Sequence, residues 1–139
     1  MSSLRVPFVW PIRVYYENTD AGGVVYHAEY LKFFERARTE WLRSLGFEQT
    51  ELSTREGLVF VVRAIQLQYR QPARFNDLLQ VASRLVELGR SRFVFEQTLM
   101  RGVETLTEGR VEVVCVSADS FRPIPLPTHI HQQFESLVS

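Results

Sequence analysis

Tyr15-Tyr16-Glu17-Asn18-Thr19-Asp20-Ala21-Gly22-Gly23-Val24-Val25-Tyr26-His27 is the stretch around which the rest of the chain organises. Before it, Ile12, Val14 and Tyr16 alternate with Arg13, Tyr15 and Glu17, the period-two pattern of a half-buried strand. After it, from about Ala28, Tyr30, Phe34, Ala37, Trp41 and Leu45 recur at steps of three to four and give a helix one apolar face. Between the two, Gly22-Gly23 reaches backbone angles closed to other residues and lets a substrate come close to the main chain. Asp20 therefore falls where a strand ends and the unpaired N–H groups of a helix start begin.

Outward from this unit, Gly46 marks the helix stop and Glu48 to Glu56 reads as a polar connection. Leu58 to Arg70 is a long strand pattern, apolar on both faces up to Val62 and then alternating through Ile65, Leu67 and Tyr69. Turn chemistry over Gln71 to Asp77 precedes three more strands, about Leu79–Leu88, Arg92–Met100 and Thr105–Asp119, broken at Gly89 and Gly102. Connections this short require antiparallel neighbours. Pro123, Pro125 and Pro127 make an extended exit, and Ile130, Phe134 and Leu137 share one side of a last short helix. The order predicts an α+β fold, one long helix on a curved five-stranded antiparallel sheet, as a single domain over 1–139. The sheet's other face is expected to stay partly uncovered, which favours self-association.

Sixteen basic residues balance sixteen acidic ones, so no global field draws the chain to nucleic acid or anionic membranes. Fifteen of the cations are Arg and only Lys32 is Lys, a bias that suits phosphate or carboxylate forks or else reflects genomic composition. The single cysteine, Cys115, excludes an intramolecular disulfide, fits a reducing compartment and, following Val111 and Val113, reads as core. No apolar leader or membrane-spanning run is seen, so a cytoplasmic location without membrane insertion is expected.

Spacing leaves two readings for Asp20. It caps a turn or a helix, or it is an ionised carboxylate beside oriented N–H donors, able to attack an acyl carbon or deprotonate a water. His27 is either a capping or surface histidine or a neutral imidazole that accepts a proton, polarises a carbonyl or orients Asp20, and its backbone N–H is itself a candidate donor. Arg90 and Arg92, flanking Ser91 in a tight turn, either fork onto the phosphates of a nucleotide-bearing ligand or form a solvated turn. Tyr26, Phe60, Val61 and Phe75 are candidates to line a pocket for an acyl chain. His129 and His131 stand two apart with no carboxylate or cysteine cluster, so no metal site is expected. Gly22-Gly23 matches neither a phosphate loop nor a dinucleotide fingerprint.

The stretch from Tyr15 to His27, followed by Tyr30-Leu31-Lys32-Phe33-Phe34-Glu35-Arg36-Ala37-Arg38, resembles the signature of the hot-dog-fold acyl-CoA thioesterases of the 4-hydroxybenzoyl-CoA thioesterase family. Within that family it is most like the bacterial Tol-Pal-cluster acyl-CoA thioesterases. The resemblance implies a helix wrapped by a five-stranded antiparallel sheet, a homodimer with a continuous sheet and assembly to a homotetramer. It implies hydrolysis of an acyl-CoA, with coenzyme A part of the substrate and no separate cofactor, and acyl carrier protein as a second candidate carrier. Asp20 matches the catalytic carboxylate, nucleophile or general base, and the backbone N–H at His27 belongs to the helix start that polarises the thioester carbonyl. Asn18 departs from the pattern, because an acidic residue is expected there. A hydratase or dehydratase of similar fold is a rival, but no Asp-x-Asn-Pro-x-x-His run or His-Phe-Pro-Gly segment is present. A non-catalytic module binding coenzyme A or acyl carrier protein is a second rival.

Overall fold

The computed structural model describes residues 6–138. Strand β1 (Phe8–Arg13) is followed by helices α1 (Glu29–Ser44) and α2 (Gln49–Glu56), then by β2 (Leu58–Tyr69), β3 (Leu78–Leu88), β4 (Arg92–Arg101), β5 (Glu104–Ser117) and α3 (Thr128–Glu135). The strands form one five-stranded sheet in the order β1-β3-β4-β5-β2, every neighbouring pair antiparallel. β1 pairs on one side only, so Pro11 removes no donor that the sheet needs.

α1 buries Tyr30, Phe33, Phe34, Ala37, Trp41 and Leu42, a face broader than one heptad seam because it lies across the sheet. Phe33, Phe34 and Ala37 meet Leu79, Val81 and Leu99 in one cluster, while Trp41 and Leu42 meet Phe93, Phe95, Val111 and Phe134 in another. Each large apolar side chain taken out of water there contributes about 1.5–3 kcal/mol. At Gly109 on β5 helix and sheet approach so closely that a Cβ would stand 2.9 Å from Leu67 Cδ2 and 3.1 Å from Phe34 Cε2.

The change of pattern along β2 has a structural cause. Val62 pairs with Val113 and Ala64 with Glu112, which leaves Arg63 as an extra residue in a bulge. Phe60 faces the core ahead of the bulge, and Ile65 and Leu67 face it beyond, so even positions point inward first and odd positions afterwards.

Two sequence expectations are corrected. Glu48 to Glu56 is not a plain connection, because Gln49–Glu56 is helical. Its polar sequence conceals this because only Leu52 is buried. Tyr16 is not a strand residue, because β1 ends at Arg13 and Tyr16–Asn18 form a 3₁₀ turn. Its ring is 76% exposed and stacks on Phe75 with centroids 3.9 Å apart. The Pro-rich exit is extended, with Pro123 bridged to Val116, and α3 buries Ile130 and Phe134.

Candidate active site

The segment between β1 and α1 is held by its own backbone. Thr19 bridges Val25, the Asp20 N–H donates to the Val24 carbonyl at 2.9 Å and the Gly23 N–H donates to the Asp20 carbonyl at 3.1 Å. The result is a small hairpin with Gly22-Gly23 at its tip, and Gly23 takes φ 81°, where a side chain is strained. A second layer pins the hairpin to the turn before β3, since Val24 bridges Arg74 and the Val25 N–H donates to the Ala73 carbonyl at 2.8 Å.

Asp20 projects from this hairpin into solvent. The Gly22 N–H donates to its Oδ1 at 2.8 Å, which fixes the carboxylate plane, while Oδ2 has no partner among the described residues. This is an Asx turn, so the capping reading of Asp20 holds for one of its oxygens and leaves the other free for chemistry.

α1 begins immediately after. The Glu29 N–H donates to the Tyr26 carbonyl at 2.8 Å, whereas no hydrogen bond among the described residues uses the N–H of His27 or of Ala28. Unpaired amides at a helix start carry partial positive charge and suit an oxyanion. The His27 carbonyl accepts from the Tyr69 hydroxyl at 2.8 Å, and the His27 ring lies 4.4 Å from that of Tyr26. Val25, His27, Tyr30, Tyr69, Arg70 and Pro72 border a recess of about 310 Å³ there.

Asn18 carries the site's internal support. It is 2% exposed; its Oδ1 accepts from the Tyr15 N–H at 2.8 Å, its Nδ2 donates to Glu29 Oε1 at 2.9 Å and its carbonyl accepts from the Tyr26 N–H at 2.9 Å. One amide thus ties the turn to the first residue of α1. The Asn18 hydrogen bond, helped by Lys32 at 3.0 Å, holds the Glu29 carboxyl below the usual carboxylate range against the opposing effect of burial. Tyr30, whose hydroxyl accepts from the Ala73 N–H at 3.1 Å, locks the floor, and burial pushes its phenol up. Sequence reading passed over Glu29, Tyr69 and Arg70; the available signal was an acidic residue opening a helix opposite an unexpected amide at 18.

The other candidates are dispersed. Asp20, Gly22, Gly23, Tyr26 and His27 are together. Val61 lies eight residues before Tyr69 on β2, about 26 Å away along the strand. Arg90, Ser91 and Arg92 follow the far end of β3, about 30 Å from the hairpin within one chain. Arg92 is also engaged, with Glu87 at 2.9 Å and Glu112 at 3.1 Å, so its fork already holds carboxylates. Phe75 stacks on Tyr16 in the open, and Phe60 packs against the core next to Phe93. Cys115 is buried and its thiol is pushed up to about 11 by burial, and His129 Nε2 lies 2.8 Å from Glu56 Oε1.

Comparison with known proteins places this geometry among relatives. The model of a family described as the Thioesterase superfamily matches residues 22–108. "Acyl-CoA thioesterase YbgC" of Haemophilus influenzae is 45% identical over 130 residues, covering 94% of this chain and 96% of that protein. "Acyl-CoA thioester hydrolase YbgC" of Escherichia coli O6:H1 is 45% identical over 129 residues, covering 92% and 96%. Among solved structures, a probable thioesterase from Bartonella henselae superposes with a TM-score of 0.82 at 40% identity, covering 86% of this chain and 98% of its own.

Proposed function

The chain belongs to the thioesterase superfamily, and from that premise we propose that it is a thioester hydrolase acting on acyl-CoA, with Asp20 as the catalytic carboxylate. What supports this reading is that, among the described residues, Asp20 keeps one carboxylate oxygen without a partner and the amides of His27 and Ala28, seven and eight residues on at the start of α1, are unpaired. In the reaction, Asp20 attacks the thioester carbon or removes a proton from the water that does. The carbonyl oxygen gains charge and is held by the helix-start N–H groups. The C–S bond breaks, the thiolate of coenzyme A leaves and takes a proton, and water supplies the oxygen of the product acid. His27 contributes chiefly its main-chain N–H, and Gly22 and Gly23 let the thioester approach the backbone.

The chain is proposed to act as one domain, in the cytoplasm. No helix among the described residues is long and apolar enough to cross a membrane. β2 is an edge strand, and antiparallel pairing of two such edges gives the proposed homodimer, from which a homotetramer is built. In that dimer the partner would set its own 90–92 turn and Val61 against the hairpin of this chain. This is the arrangement in which Arg90, Ser91 and Arg92 could meet the phosphates of coenzyme A.

Asp20→Asn tests the proposal. The variant should fold as the parent does and lose hydrolysis by at least about a hundredfold in kcat, since it removes the attacking group. Unchanged turnover across a panel of acyl-CoAs would remove Asp20 from the mechanism. Loss of enoyl-CoA absorbance without free thiol would instead indicate a hydratase. Tight acyl-CoA binding with no thiol release would indicate a binding module.

A further inference from the structure

A second cavity, about 110 Å³, lies between the middle of α1 and the first half of β2 and contains none of the residues assigned above to catalysis. Phe60, Val62, Phe93 and Phe95 line it from the sheet, and Arg38 lines it from α1 together with Glu35 and Thr39. A guanidinium in such surroundings is normally paired with a carboxylate. Here Arg38 Nη1 donates to Gln97 Oε1 at 3.0 Å, and no carboxylate among the described residues lies within salt-bridge distance. Glu35, one turn earlier, attracts it from further away but accepts the Thr39 hydroxyl at 2.6 Å. Burial pushes the Arg38 pKa down to about 10, as expected of a cation short of compensation.

The neutral acceptor is built to stay put. Gln97 is 1% exposed, and its Nε2 donates to the Phe34 carbonyl at 3.0 Å and to Ser83 Oγ at 2.9 Å. The amide cannot turn over without losing the bond to the Phe34 carbonyl and setting its own N–H groups against Arg38, so Oε1 is fixed towards Arg38 and orients the guanidinium. An anchored guanidinium fork, with the nearby Glu35 carboxylate taken up by the Thr39 hydroxyl, is a receptor for a planar anion. Ala28, Leu31, Glu35 and Arg38 follow one another at helical spacing, so one stripe of α1 joins the helix start to the cavity over about 15 Å.

We propose that this cavity receives the far end of the acyl group and that Arg38 selects acyl groups ending in a carboxylate, the half-thioesters of dicarboxylic acids. The inference rests on the thioesterase reading and names the substrate class of that site. Antiparallel edge pairing of β2 would also bring a partner's hairpin towards the cavity, so the preferred chain length reports whether a short or a long span separates thioester and guanidinium.

The test compares kcat/KM for dicarboxylyl-CoAs, from glutaryl to dodecanedioyl, with that for the alkanoyl-CoA of the same carbon count. The parent should favour the dicarboxylyl member at one or more lengths by about tenfold or more. Arg38→Gln should bring that ratio to one or below, and Arg38→Lys, a point charge without the fork, should keep an intermediate ratio. A merely structural Arg38 would lower both members of each pair together and leave the ratio intact. That result, or a parent ratio of one or less at every length, overturns the proposal. The same ratio is read as Kd by calorimetry, on Asp20→Asn or, if no acyl-CoA is hydrolysed, on the parent. A retained Kd preference without any hydrolysis would refute the hydrolase reading and support the Arg38 site, and no preference in Kd would refute the site.

Discussion

Asn18→Asp puts the architecture beneath the Asp20 turn to a quantitative test. The substitution keeps the shape and the oxygen that accepts from the Tyr15 N–H, but it replaces the donor to Glu29 Oε1 by a second acceptor at the same 2.9 Å. One hydrogen bond to a charged group, about 1.5–3 kcal/mol, is lost, and two poorly solvated carboxylates then face each other. The expected cost is roughly 2–4 kcal/mol, or about 6–16 °C in Tm at this chain length. The deficit should be complete at neutral pH and narrow on acidification, because the pair can share a proton once the pH falls through its raised folded-state value. Adding Glu29→Gln restores a donor opposite the acceptor, so the double variant should recover most of the lost stability although each single change is harmful. Thermal unfolding of the four proteins gives the coupling as a double-mutant cycle. A stable single variant, or costs that add, would refute the view that the amide and Glu29 act as one unit.

Three further outcomes are expected. His27→Ala should lower kcat/KM less than Asp20→Asn does, since the main-chain N–H survives; equal losses in steady-state assays would give the imidazole itself a role as acid or base. Gly109→Ala should destabilise by about 1–3 kcal/mol in urea titration, because its Cβ meets Leu67 at 2.9 Å and Phe34 at 3.1 Å and forces one of them to shift. Glu29 has a lowered folded pKa, so its contribution is complete above the usual carboxylate value and is lost as the pH falls through the lowered one. The fall in Tm between pH 7 and pH 3 should therefore be smaller in Glu29→Gln, and an equal fall in both proteins would contradict the assignment.

The fold was legible wherever a side chain's period matched its element. α1 announced itself through Tyr30, Phe34, Ala37 and Trp41, all of which are buried, and short turns forced the antiparallel order. α2 was not legible, because a helix that buries only Leu52 has almost no apolar period to read. Tyr16 does not follow its local pattern because two residues of correct alternation cannot tell a strand from the turn that ends it; its ring meets Phe75, 59 positions away, and no local pattern encodes that contact.

The site divides along the same line. Asp20, the glycine tip and the helix start were readable because they are contiguous and their chemistry is that of the backbone: a turn carboxylate and unpaired amides. The supports come from elsewhere in the chain, Tyr69 at the end of β2 and Ala73 before β3, and sequence spacing carries no record of such meetings. Asn18 is the informative intermediate. Met as an isolated departure from an acidic pattern, it casts doubt only on its own role in catalysis. Set against Glu29 it becomes half of a pair, with the carboxylate on the first turn of α1 and the donor on the turn before it. The buried contact thus holds one carboxylate, while position 18, two residues before Asp20, is neutral. Asp20 is thereby spared a like charge close by in the chain, and the negative charge stands instead at a helix N-terminus, where the partial positive charge of the first amides offsets it.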